Sequence, residues 1–129
     1  MKRKTIILLG ILLIFLLLSG CNQEPTNPEG ALSAAALLEN PIYDTQTRVY
    51  GKVSALGELA CTCFFLQSDG GNLHVWYDTM VENDGTLRPS VSVQEIKKGD
   101  WVVVLGELKS GGDHYSLADF WANSIEVIP

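Results

Sequence analysis

Basic residues are scarce in this chain, and they are unevenly placed. It has 9 Lys and Arg against 15 Asp and Glu, a formal net charge of −6. Three of the nine, Lys2, Arg3 and Lys4, precede Cys21, where no acidic residue lies, so residues 21–129 hold 6 basic and 15 acidic groups and carry −9. Nucleic acids are held by Lys and Arg that displace counterions from phosphates, so a surface this acidic weighs against them as partners. There is no second long apolar run after Leu18, and nothing later in the chain is expected to span a bilayer. No serine or cysteine stands in a recognisable nucleophile context, and Asp113 and Asp119 have no paired acid or base. Around Asn83-Asp84-Gly85, Met80 and Val91 occupy positions where a calcium loop needs acidic ligands. These absences point away from an enzyme and from a cofactor. Cysteine is sparse as well, limited to Cys21, Cys61 and Cys63.

What is present at the start is more specific. Lys2, Arg3 and Lys4 are followed by an apolar run from Ile6 to Leu18 and then by Leu18-Ser19-Gly20-Cys21. A basic start, an apolar stretch of about 7–15 residues and small residues at the cut are the anatomy of a secretory signal peptide. The run is short of the roughly 20 apolar residues that a membrane span needs. The tetrapeptide resembles the lipobox of bacterial and some archaeal prolipoproteins at all four positions. That resemblance implies a diacylglycerol on Cys21, which becomes the new N-terminus. The partner is then the membrane, reached through that lipid, and the location is the cell membrane or outer membrane, facing outside the cytoplasm. Residues 1–20 form the signal peptide, 21–30 a lipidated tether with Pro25 and Pro28 and no apolar side chain before Gly30, and 31–129 a single domain.

Within the domain, Ser33–Asn40 reads as a short helix capped by Ser33 and stopped by Pro41. From Arg48 the apolar period becomes two. Strands are expected around Val49–Val53, Cys61–Gln67, Leu73–Asp78 and Trp101–Leu108, with a fifth from His114 to Ile128 broken near Asp119–Asn123. Ser68-Asp69-Gly70-Gly71 signals a hairpin, and a short helix is expected around Val93–Lys97. The fold class is thus all-β: a five-stranded barrel with a short N-terminal helix and a helical insert between strands three and four. This order resembles an OB-fold. The cues are Asn40-Pro41 after the helix, Val49-Tyr50-Gly51-Lys52-Val53, and Gly99-Asp100-Trp101-Val102-Val103-Val104. The domain is similar to small exported OB domains, among them stress-related periplasmic proteins and the haem chaperone of cytochrome c maturation. In the haem chaperone a histidine in a tail beyond the last strand fixes haem. This chain stops at Pro129 and has no Cys-x-x-Cys-His motif, so no haem is expected.

Taking Gly70 and Gly71 as the turn residues pairs Leu66 with Val75 and Phe64 with Tyr77 inside the barrel. Outside, Gln67 then pairs with His74, Phe65 with Trp76, and Cys63 with Asp78. OB-folds bind ligands on the outer face of strands two and three. The resemblance therefore implies a ligand face of Phe65, Gln67, His74 and Trp76, flanked by Gly57-Glu58-Leu59 and Ser110–Asp113. Phe65 beside Trp76 could hold a flat ring, a sugar face or a proline-rich segment. The competing reading has the long stretch after strand three, or the Ser33–Asn40 helix, folded over these aromatics.

In the same register His74 lies roughly 13 Å along the strands from Cys63, too far to share a metal with it, so no metal site is expected. A Cys61–Cys63 disulfide needs a bulge, which Thr62 could supply, since alternate strand residues have Cα atoms about 6.6 Å apart; the expectation is instead two small apolar side chains packed under a loop. The expectation is a lipid-anchored binding or scaffolding module for a protein, peptide or saccharide. Two alternatives remain: a thiol-redox or metal-handling lipoprotein using Cys61 and Cys63, and a nucleic-acid-binding OB domain.

Overall fold

Alternation explains the first long strand, β2 (Gln46–Ser54): Val49, Gly51 and Val53 turn inward, while Lys52 stays exposed. The structure, a computed structural model, describes residues 25–82, 84–110 and 119–129. Cys21 with its lipobox and His114 lie outside the described residues. So does the beginning of the expected fifth strand.

Before β2 come a two-residue strand β1 (Leu32–Ser33) and a helix α1 (Ala34–Glu39). Ser33 caps α1 by accepting from the Ala36 N–H at 3.0 Å. This is the expected start. After β2 follow β3 (Cys63–Ser68), β4 (Gly71–Trp76), a small hairpin of β5 (Met80–Val81) and β6 (Leu87–Arg88), then β7 (Trp101–Leu108) and β8 (Asp119–Val127).

β2, β3, β4, β8 and β7 lie side by side in that order, and β7 pairs back onto β2, so the sheet closes into a five-stranded barrel. Every pairing around the ring is antiparallel except β4 with β8. Closure removes the free strand edges that would otherwise template association. Val49, Val53, Phe64, Leu66, Leu73, Val75, Val102, Val104, Phe120 and Ala122 fill the interior, with Ala34 and Leu37 added from α1.

Three features differ from the sequence expectation. The β3–β4 turn uses Asp69 and Gly70, with φ of 49° and 81°, and Ser68 faces Gly71. A two-residue turn of this kind needs positive φ at both central positions, which Asp and Gly tolerate. Gly71 belongs to the strand instead, because a Cβ there would run into the backbone of Ala34 and Ala35.

Pairing therefore moves by two residues: Leu66 faces Leu73, Phe64 faces Val75, Phe65 faces His74, Gln67 faces Asn72, and Cys63 faces Trp76. Tyr77 falls just beyond β4, half-buried against Phe64 at a ring distance of 6.1 Å.

The second difference is at Val93–Lys97, which forms only a turn, closed by the Ile96 N–H to the Val93 carbonyl at 3.3 Å. Val91, Val93 and Ile96 all pack on the core. Extended backbone sends 91 and 93 to the same side, whereas a helix would not. The third is β8. It runs unbroken through Asp119–Asn123, and a bulge opposite Leu105/Gly106 takes the place of the break.

Candidate functional site

Strand alternation and the observed register together build the outer face of β3 and β4 in three rows. One row is Lys52, Gln67 and Asn72, with Trp101 facing Lys52 from β7. The next is Ser54, Phe65, His74 and Asp119. The third is Cys63, Trp76, Trp121 and Glu107. A shift of two residues leaves every side chain on its original face, so Phe65, Gln67, His74 and Trp76 all point outward as expected. Their neighbours change. Phe65 does not sit across from Trp76. It sits across from His74, with ring centroids 5.3 Å apart.

The aromatic wall continues past β4. His74 and Trp76 lie 5.2 Å apart, and Trp76 stacks on Trp121 at 5.2 Å with only 9° between the planes. Trp121 is buried, while Phe65, His74 and Trp76 are half-buried. Beside this wall, a shallow cleft is lined by Lys52, Gln67, Asn72 and Trp101. An apolar ring surface bordered by side-chain amides and one ammonium can take a planar or sugar-like group and fix its polar edge.

The cysteines gain most from the register. Thr62 lies in a bend before β3, so Cys61 and Cys63 approach to a Cα separation of 5.2 Å, and their sulfurs are joined as a disulfide instead of packing as two separate apolar side chains. His74 is brought beside them, its Nε2 being 3.7 Å from Cys61 Sγ. The separation of roughly 13 Å expected along the strands is thereby corrected. Cys61 Sγ, Cys63 Sγ and a ring nitrogen of His74 lie within 4.8 Å of one another. On the other side of the ring, His74 Nδ1 is 3.2 Å from Asp119 Oδ1. An ionised carboxylate only accepts, so Nδ1–H is the donor, and in the neutral ring Nε2 keeps its lone pair toward the sulfurs.

The far end of the third row is polar. Lys109 Nζ bonds Glu107 Oε2 at 2.8 Å, and Gln46 Nε2 donates to Glu107 Oε1 at 2.8 Å. Burial pushes the Glu107 carboxyl up. The hydrogen bonds from Lys109 and Gln46, with the charges of Lys109 and Arg88, outweigh that and hold it below the ordinary glutamate value.

Asp119, expected to have no paired acid or base, is paired with His74, and neither it nor Trp121 nor Glu107 was placed on this face by the sequence. The available signal was Asp119 and Trp121 alternating with the apolar pair Phe120 and Ala122, which places the first two on the outside. Compared with known protein families and with curated proteins, the sequence matches none.

Proposed function

We propose that this chain is a lipid-anchored module, held on the outer side of a membrane through Cys21, whose barrel is an OB-fold that binds a protein, peptide or saccharide segment. The strand order β2-β3-β4-β8-β7, closing on β2 with β4 and β8 parallel, supports the OB-fold reading. The observation that carries the binding reading is the continuous aromatic wall of Phe65, His74, Trp76 and Trp121. It lies next to the polar row of Lys52, Gln67 and Asn72 on the face where OB-folds take ligands. The module binds rather than catalyses. A charge of −9 on residues 21–129 opposes the nucleic-acid alternative, because OB domains that hold single strands need a basic track beside their aromatics.

The test is a tryptophan-fluorescence titration of the purified chain with chitotetraose, a proline-rich peptide and single-stranded DNA. Saturable quenching by the saccharide or the peptide, lost in Trp76→Ala and Gln67→Ala, is expected, with no response to DNA at physiological salt. Micromolar DNA binding with a steep salt slope overturns the reading, as does a fluorescence response unchanged in Trp76→Ala.

A further inference from the structure

We propose that Cys61, Cys63 and His74 form a redox-gated site for one thiophilic metal ion, Zn²⁺ or Cu⁺, with Asp119 as its positioning residue. Two thiolates and an imidazole are the donor set that selects such ions over Mg²⁺ or Ca²⁺. Metal–ligand bonds of about 2.0–2.3 Å place neighbouring donors roughly 3.5–3.8 Å apart at a tetrahedral angle. Cys61 Sγ and His74 Nε2 already stand 3.7 Å apart, and all three donors fall within 4.8 Å. Only the two sulfurs must separate, by rotation about the Cys61 and Cys63 side chains.

The histidine is prepared for this role from three directions. Phe65 and Trp76 flank its ring at 5.3 and 5.2 Å. Asp119 accepts from Nδ1–H at 3.2 Å, the carboxylate–histidine arrangement that sets the tautomer of metal ligands and raises their basicity. Nε2 therefore faces the sulfurs as a lone-pair donor. The site is sheltered, because Cys63 is buried, the Asp119 side chain is 14% exposed and that of His74 30%.

The gate is the Cys61–Cys63 bond. With the sulfurs joined, neither is a thiolate and the site has one donor. A reducing dithiol breaks that bond by exchange: its two protons and two electrons pass to Cys61 and Cys63, and it leaves as its own disulfide. The metal ion then displaces both thiol protons and closes the chelate. Because the cysteines are only two residues apart, opening the bond frees little backbone, and the barrel stays folded in both states.

The test uses the purified full chain, oxidised and dithiol-reduced, freed of reductant under nitrogen. It is titrated with Zn²⁺ against a chromophoric chelator and, in a second arm, with Cu⁺ against bicinchoninate. One ion per reduced chain and none per oxidised chain is expected, and the tighter arm identifies the ion. His74→Ala and Cys61→Ser should each weaken binding by at least about 100-fold, and Asp119→Asn by about 10–100-fold. Circular dichroism follows the fold throughout. If Cys61→Ser does not fold, His74→Ala and Asp119→Asn decide the matter. Equal uptake by oxidised and reduced protein overturns the proposal, as does affinity unchanged in His74→Ala. Neither result depends on Gln67 or the saccharide and peptide probes, so ligand binding and metal binding fail independently.

Discussion

Glu107 shows how one side chain ties the barrel surface to pH. Its carboxylate is bonded to Lys109 and Gln46 at 2.8 Å each, and the Lys109 side chain is only 6% exposed. The folded-state pKa lies below the ordinary value, whereas the unfolded chain titrates near about 4.3. The sign follows: this pair contributes stability fully above the unfolded pKa, and the contribution disappears as pH falls through the lower folded-state value. Glu107→Gln should therefore lower the urea midpoint at pH 7, and the gap to wild type should narrow progressively below about pH 5. Urea titrations of both proteins at pH 7, 5 and 3 check this, and a constant gap across that range would contradict it.

At the scale of elements, a single hydroxyl joins α1 to the barrel. Ser68 Oγ, buried at the end of β3, donates to the Tyr50 carbonyl at 2.6 Å and accepts from the Ala34 N–H at 2.7 Å. Ser33 caps the same helix at Ala36, and Gly71 leaves room for Ala34 and Ala35 to approach. Six residues of helix have little intrinsic stability, so these contacts and the burial of Ala34 and Leu37 hold α1 in place. Ser68→Ala removes the acceptor of an interior N–H and should cost about 1–3 kcal/mol. Ser33→Ala removes a cap and should cost about 0.5–2 kcal/mol. Because both act on one turn, the double variant should lose less than the two costs together. Denaturant midpoints of the three variants measure this, and full additivity would show that the two serines act on separate units.

For the whole molecule, charge and anchoring belong together. The barrel has no free edge among its five strands, and residues 21–129 carry −9; both disfavour self-association. Proposed attachment through Cys21 places this acidic barrel close to a bilayer on a tether ending near Gly30. Two or more acyl chains give stable membrane binding where one is marginal. Cys21→Ser should abolish incorporation of labelled fatty acid and leave uncleaved precursor, while the barrel itself stays folded. Label retained in the Ser variant would refute the lipid assignment.

Composition and alternation, which need no partner strand, were enough to read the capped start of α1, the first four strand regions and the two faces of β3 and β4. Phe64, Leu66 and Val75 are inside, and Phe65, Gln67, His74 and Trp76 outside. Facing depends only on a period of two, so it survives any even slip in register. Neighbours do not. Whether His74 meets Gln67 or Phe65, and so whether it lies roughly 13 Å along the strands from Cys63 or 3.7 Å from Cys61, depended on which two residues make the turn. That choice was made by the positive φ of Asp69 and Gly70 and by α1 packing on Gly71. Asp119 and Trp121 reach the same site only because β8 closes the barrel alongside β4. A pairing between strands more than 40 residues apart is an outcome of packing the whole core, and no local pattern in the chain encodes it.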